Sequence, residues 1–290
     1  MLIAPDINEV IFSLPAFTLP LIGVVAIKVH WYGVMYAIGF LGGWALGVYR
    51  TKKKEIGWDK IDVSDILFYS MIGIVIGGRL GYVLFYNPGF YLGNPGKILA
   101  FWDGGMSFHG GLLGVSLAMW WYARKSNRSF LAVADFLAPL TPLGLAAGRF
   151  GNFINQELWG RPTEMPWGMV FERAHIKAQQ LGYGTDPGMV ARHPTQLYEF
   201  ALEGVALFIL LWFYSAKPRA TGSVLALSLI GYSVARFTVE FFRQPDAHIG
   251  YLAFGWLTMG QLLTIPMILV GIWLFWYANR FYTEKTVTHN

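Results

Sequence analysis

Gly148-Arg149-Phe150-Gly151-Asn152-Phe153-Ile154-Asn155-Gln156-Glu157-Leu158-Trp159-Gly160 closes an apolar run that begins at Leu131 and is long enough to cross a bilayer. An arginine, amides and a carboxylate at the end of such a run are expensive in lipid, so their clustering marks a functional site by default. The run is one of a series. Trp31–Tyr49, Asp65–Phe85, Phe108–Ala123, Leu197–Ser215, Gly222–Phe242 and Met259–Ala278 have the same character. Together with Leu131–Phe150 they predict an all-α polytopic membrane protein of about seven transmembrane helices. Pro139 and Pro142 inside the fourth stretch are tolerable where neighbouring helices satisfy the freed carbonyls.

Composition agrees. Hydrophobic residues make up 55% of the chain and charged residues 13%, against about 25% in a soluble domain. The mean hydropathy is +0.44, and 12 Trp and 15 Tyr supply the rings that favour membrane interfaces. There is no cysteine, hence no disulfide, no thiolate nucleophile and no cysteine metal site. Any thiol in the chemistry must come from a substrate. The net charge of +5 reads as membrane topology and affinity for anionic lipid heads. No basic stripe with interleaved aromatics suggests a nucleic-acid partner. His-Glu-x-x-His, Gly-x-Ser-x-Gly and a phosphate loop ending in Gly-Lys-Ser/Thr are all missing, which argues against a zinc protease, a serine hydrolase and a P-loop motor. No metal or other cofactor is expected.

Met1–Asp6 carries no basic region, and Pro15 and Pro20 interrupt the apolar stretch that follows. Residues 1–29 therefore read as an interfacial arm that stays on the mature protein. Residues 151–196 are rich in Gly, Pro and charge and read as a small extracytoplasmic head between spans four and five, too short for a core of its own. The whole chain, 1–290, reads as a single transmembrane domain without internal repeats. The dense basic cluster Arg50–Lys54, with Arg124, Lys125, Arg128, Lys217 and Arg219, places the N-terminus outside and the C-terminus in the cytoplasm. Gly73, Gly77 and Gly81, and again Gly144 and Gly148, recur every four residues. Such stripes let helices approach closely; they also leave room for a bulky lipid.

Arg79, Arg149 and Arg236 lie inside or at the edge of spans, where an unpaired arginine costs about 2.5–3.5 kcal/mol. Arg79 reads either as a structural pair or as a functional group. Arg149 and Arg236 have more polar company, which favours function. Arg236 and Glu240 share a helix face with Tyr232, and Arg243 follows. A guanidinium held by a carboxylate presents a rigid fork suited to phosphate; the alternative is a buried pair fixing helix register. Glu199 and Glu203, also four apart, read as counter-charges that position the arginines. His109, flanked by glycines, is either a proton acceptor near neutral pH or a histidine satisfied by hydrogen bonds at the start of a span. His193 reads as a structural cap for the fifth span. Arginine, amide, tyrosine and histidine together suit recognition of an anionic head group and stabilisation of a departing phosphate.

These residues resemble a family. His30-Trp31-Tyr32-Gly33, Gly77-Gly78-Arg79-Leu80-Gly81-Tyr82, Asp103-Gly104-Gly105-Met106-Ser107-Phe108-His109-Gly110-Gly111, the Gly148–Gly160 signature, Arg192-His193-Pro194-Thr195-Gln196-Leu197-Tyr198-Glu199 and Glu240-Phe241-Phe242-Arg243-Gln244-Pro245-Asp246 are similar to bacterial prolipoprotein diacylglyceryl transferases. The resemblance implies transfer of the diacylglyceryl group of phosphatidylglycerol to the thiol of the lipobox cysteine in a prolipoprotein signal peptide. A thioether forms and glycerol phosphate leaves. It also implies a multi-pass protein of the bacterial inner membrane with a periplasmic N-terminus. Family roles carried onto this chain make Arg149 and Arg236 the central pair, with His109 beside them as a catalytic residue. Tyr32, Asn152, Glu157, Gly160, Tyr232, Glu240 and Arg243 would bind substrate. The identity of the base stays open: His109 could take the thiol proton, and nearby arginines could stabilise the thiolate directly. The competing readings are a transporter or flippase for an anionic lipid, for which an internal repeat would be usual, and a structural scaffold.

Overall fold

The computed structural model describes residues 2–15, 17–19, 23–25, 28–52, 57–86, 88–100, 105–173, 190–245 and 250–287. Lys53, Lys54, Asp103, Gly104, Asp246, the middle of the 151–196 segment and parts of residues 1–29 lie outside the described residues.

The chain is mostly helical. Its helices are α1 (Trp31–Thr51), α2 (Lys60–Phe85), the short α3 (Pro88–Gly93), α4 (Phe108–Lys125), α5 (Phe130–Leu137), α6 (Thr141–Ile154), α7 (Thr195–Tyr214), α8 (Ser223–Glu240) and α9 (Met259–Val287). Each stretch expected to span is helical. Among the described residues five helices, α1, α2, α7, α8 and α9, are long and apolar enough to cross a membrane, and α5 with α6 makes a sixth if the broken pair is one span. The break coincides with Pro139, and Pro142 starts α6, where its missing N–H costs nothing. α4 lies where the third span was expected but is less apolar, carrying His109, Arg124 and Lys125. This is a polytopic helical membrane protein.

The chain divides into two compact units, one of residues 44–137 and one of residues 1–43 with 138–290. In the first, α2 packs on α4 through facing glycines. A Cβ on Gly81 would lie 2.7 Å from the Gly110 Cα, and one on Gly73 or Gly77 would strike the Gly110–Gly114 backbone. The packing reading of that stripe holds. α2 begins five residues before the expected span because Asp59 and Asp62 form a capping box: Asp59 accepts from the Asp62 N–H at 2.7 Å, and Asp62 from the Asp59 N–H at 3.2 Å. Arg79 is 1% exposed. Its Nε donates to the Ile98 carbonyl at 2.9 Å, one terminal nitrogen to Lys97 at 2.7 Å and the other to Gly105 at 3.3 Å. The guanidinium also lies over the Tyr91 ring. Of its two readings, the structure supports the structural one: Arg79 braces the loop after α3.

In the second unit, α7 and α8 pack through Leu207, Leu211 and Val224, with Ala138 against them. Gly39 of α1 meets Gly144 of α6, whereas a Cβ on Gly148 would meet nothing within 4 Å. That second stripe is a packing face at only one of its glycines. Residues of the expected arm form short strands: β1 (Leu2–Ile3), β2 (Val10–Ser13), β3 (Phe17–Leu19), β4 (Gly23–Val25) and β5 (Lys28–His30). β2 pairs with β5 and β3 with β4, both antiparallel. β1 pairs in parallel with β6 (Met169–Val170), fastening the start of the chain to the segment after the signature. Ala4, Phe153, Trp159 and Phe171 bury one another there.

A buried arginine–glutamate cluster as candidate active site

α6 carries Arg149, α7 carries Glu199 and Glu203, α8 carries Arg236 and Glu240, and Arg243 follows one turn beyond α8. The three helices bring these side chains together. Glu199 is the hub: it touches Arg149 Nε at 3.3 Å, an Arg243 terminal nitrogen at 3.2 Å and a terminal nitrogen of Arg236. Glu203 takes a second Arg149 nitrogen at 3.1 Å and stands 3.8 Å from Arg236. Glu240 pairs with the other terminal nitrogen of Arg236 at 2.8 Å. Three guanidinium groups thus face three carboxylates, and the formal charges cancel.

Burial separates the two signs. The side chains of Glu199 and Glu203 are 0% exposed, while Arg149 keeps 17% and Arg236 and Arg243 13% each. The exposure left in the cluster belongs mainly to the arginine side chains, with Glu240 at 6% between the two groups. Taking such charges out of water is costly unless each is paired; the network supplies the pairing and holds planar forks in fixed directions. Glu199 and Glu203 therefore serve as the counter-charges expected of them.

The local backbone explains the convergence. α7 contains a π-helical turn over Phe200–Ala206, a rare geometry that is frequent at functional sites. A Cβ on Gly204 in this turn would lie 2.6 Å from Ala146 Cβ, so glycine lets α7 close on α6 and puts Glu203 within reach of Arg149. Tyr232, one helical turn before Arg236, packs on the apolar cluster below and lies within electrostatic reach of Arg149, Arg236, Glu199 and Glu203.

The signature starts as the last turns of α6, and from Asn155 on it folds into a tight turn. Gln156 and Leu158 both adopt left-handed backbone, at φ 49° and 58°, which costs energy for residues with a side chain. The turn is held from several sides. Asn152 Nδ2 donates to Glu157 Oε1 at 2.8 Å and Asn155 Nδ2 to the same oxygen at 3.4 Å. Thr195 Oγ1 donates to the Leu158 carbonyl and Gln196 Nε2 to that of Glu157. Tyr32 packs on Gly151, within electrostatic reach of Glu157 and Arg149. Gly160 bridges to Arg243 and donates its N–H to the His193 carbonyl at 2.8 Å. A Cβ there would lie 2.6 Å from His193 Cβ and from the Phe242 carbonyl oxygen, so only glycine fits.

The unit thus collects Tyr32, Arg149, Asn152, Glu157, Gly160, Tyr232, Arg236, Glu240 and Arg243. His109 is not among them. It belongs to the unit of residues 44–137, exposed on the first turn of α4, where the Ser107 hydroxyl caps the helix. His193 does not cap α7 as expected, for Pro194 occupies the N-cap position. Its ring instead bonds the Tyr198 hydroxyl at 3.0 Å, and that hydroxyl accepts from Trp167 Nε1 at 2.7 Å. Burial, reinforced by the positive Arg161, lowers the His193 pKa. Among the described residues no group of three or more His, Asp or Glu side chains is placed to hold a metal ion.

The sequence reading missed four contributors. Arg161, just past the signature, donates its Nε to the Arg243 carbonyl at 2.9 Å. At the start of α9, Thr258 and Gly260 meet Glu240, and Gln261 holds Thr258. Their signal was present as Thr258-x-x-Gln261, a capping-box pattern just before an apolar helix.

The fold and site define a multi-span membrane protein with guanidinium groups held over buried acids. A sequence profile for prolipoprotein diacylglyceryl transferase matches residues 20–277. A phosphatidylglycerol–prolipoprotein diacylglyceryl transferase of Legionella pneumophila (strain Paris) is 53% identical over 280 residues, covering 97% of this chain and 100% of the relative. Proteins of the same name from Ectopseudomonas mendocina and Pseudomonas putida (strain F1) are 54% and 52% identical, covering 88% and 89% of this chain and 91% and 93% of their own length. The chain belongs to the prolipoprotein diacylglyceryl transferase family, a family of enzymes.

Proposed function

We propose that this chain moves the diacylglyceryl group of phosphatidylglycerol onto the sulfur of a prolipoprotein's lipobox cysteine. The sulfur attacks the glycerol carbon, the carbon–oxygen bond to phosphate breaks, and its electron pair leaves on glycerol phosphate. The thiol proton is released as the thioether forms. The lipid's phosphodiester carries one negative charge, and a second develops on the leaving oxygen. Guanidinium groups aimed at that oxygen stabilise the transition state more than the ground state.

The observation that carries this reading is the convergence of Arg149, Arg236 and Arg243, which keep 13–17% of their side chains exposed, on acids that keep 0–6%. In this scheme Arg149 and Arg236 clamp the phosphate, Arg243 adds a third cation, and Glu199, Glu203 and Glu240 fix their orientation. Tyr32, Asn152, Glu157, Gly160 and Tyr232 line the substrate side, and His109 is the candidate acceptor of the thiol proton. An apolar groove of about 330 Å³, lined among others by Met165, Trp167, Leu202, Val239 and Phe242, offers space for an apolar tail on neighbouring turns of α7 and α8. We place the protein in a bacterial inner membrane as a single domain of seven spans, with residues 151–196 as a periplasmic head, the N-terminus periplasmic and the C-terminus cytoplasmic.

The test combines purified protein, phosphatidylglycerol and a peptide bearing a lipobox cysteine, read by mass spectrometry. A diacylglyceryl adduct on the cysteine and stoichiometric glycerol phosphate are expected. Lipid translocation without an adduct would replace this reading with the transporter one.

A further inference from the structure

Glu240 is clamped from the side opposite Arg236, and this has a consequence for the clamp itself. Thr258 lies immediately before α9 and is 3% exposed. Its hydroxyl oxygen accepts from the Gln261 N–H at 3.3 Å, and Gln261 Oε1 accepts from the Thr258 N–H at 3.0 Å, so the two residues form a closed capping box. A hydroxyl has a single hydrogen. With its oxygen facing the Gln261 N–H, that hydrogen is aimed at Glu240 Oε1, 2.9 Å away. The other carboxylate oxygen holds Arg236 at 2.8 Å. A second, independent feature fixes the same group: a Cβ on Gly260 would fall 2.7 Å from Glu240 Oε1 and 2.8 Å from its Cδ. The carboxylate occupies the space a side chain at 260 would need. The positive end of the α9 helix dipole lies on the same side and favours the anion.

We infer that Thr258 and Gly260 are positioning residues for the transferase reaction: the start of α9 sets the Glu240 carboxylate, and the carboxylate sets the Arg236 fork. Neither residue touches substrate in this scheme. The inference rests on the proposed transferase reading, because it is the phosphate-gripping geometry of Arg236 that they control.

Four variants separate positioning from simple helix stability. Thr258→Ser keeps both the cap and the donor and is expected to turn over like the wild type. Thr258→Asp still caps the helix, but as a carboxylate it has no hydrogen to give and adds a negative charge beside Glu240. Its kcat in the adduct assay is expected to fall about tenfold to a hundredfold, the weight of one hydrogen bond to a buried charge, with the lipid KM changing much less. Thr258→Val is expected to lose both activity and thermal stability. Gly260→Ala replaces glycine by the best helix former; α9 is expected to hold its melting temperature while kcat falls by a similar factor. Wild-type kcat in Thr258→Asp and Gly260→Ala, in samples that melt normally, would overturn the inference, as would a kcat loss in Thr258→Ser equal to that in Thr258→Asp. An inactive wild-type protein would instead sink the transferase reading itself.

Discussion

Glu199 is the residue on which the cluster depends most, and replacing it by glutamine gives the sharpest test of the electrostatic scheme. It is fully buried and contacts Arg149, Arg236 and Arg243 at once. Glu199→Gln keeps the shape and removes the charge, leaving three guanidinium groups facing two carboxylates. Removing one partner of a buried ion network costs about 3–5 kcal/mol. At about 2–4 °C per kcal/mol for a chain of this order, the melting temperature in detergent should fall by roughly 6–20 °C. Turnover should fall further than instability explains. Arg149 and Arg236 lose the acid they share, and displacing a single preorganised donor at a developing anion costs about 10²–10³ in rate. Adduct formation, measured by mass spectrometry below the variant's melting temperature, reads the second effect separately from the first. Glu203→Gln should be milder, because Glu203 meets Arg149 at 3.1 Å but Arg236 only at 3.8 Å. A Glu199→Gln protein that melts and turns over like the wild type would refute the claim that buried acids orient the arginines.

Arg236→Lys keeps the charge but replaces a fork that bridges Glu199 and Glu240 by a single ammonium; one arm of the bridge is lost, worth about 1.5–3 kcal/mol, and turnover should drop about tenfold to a hundredfold in the adduct assay. His109→Gln should lower turnover about a hundredfold or more if His109 takes the thiol proton, and near-normal activity would remove it from that role. Gly160→Ala must push a Cβ into the backbone oxygens of His193 and Phe242, so a stability loss of about 1–3 kcal/mol and reduced activity through Arg243 are expected from melting curves and kinetics. The His193 pKa is depressed in the folded state, so the folded protein binds fewer protons there than the unfolded chain. Its contribution is present above the unfolded value of about 6.5 and is lost as pH falls below it; His193→Gln should therefore flatten the drop in melting temperature seen on acidification.

Much of the architecture follows from composition and periodicity. Runs of apolar residues bounded by charge must become helices in lipid, because no other arrangement satisfies every backbone group within one segment. The predicted stretches are helical for that reason, the fourth as two helices broken at Pro139, and the Gly73–Gly77–Gly81 face packs as its spacing requires. The arginines of the site were legible too: charge inside an apolar run is costly, so its persistence points to use. Where the reading stopped short, the missing information was not local. Arg79 could be read from sequence either way, and only the fold decides it: Arg79 spends its donors on the carbonyls of the loop after α3, whereas Arg149 meets two buried acids.

Helix positions, the membrane class and the residues worth testing were already determined by the order of amino acids, since each depends on energies summed over neighbours in the chain. Which acid meets which arginine was decided only in three dimensions. That pairing depends on a π-helical turn in α7, on the closeness Gly204 permits, and on a threonine eighteen residues beyond Glu240 in the chain. Ion pairs and hydrogen bonds are set by distances of a few ångströms between distant segments, and spacing along the chain does not encode those distances.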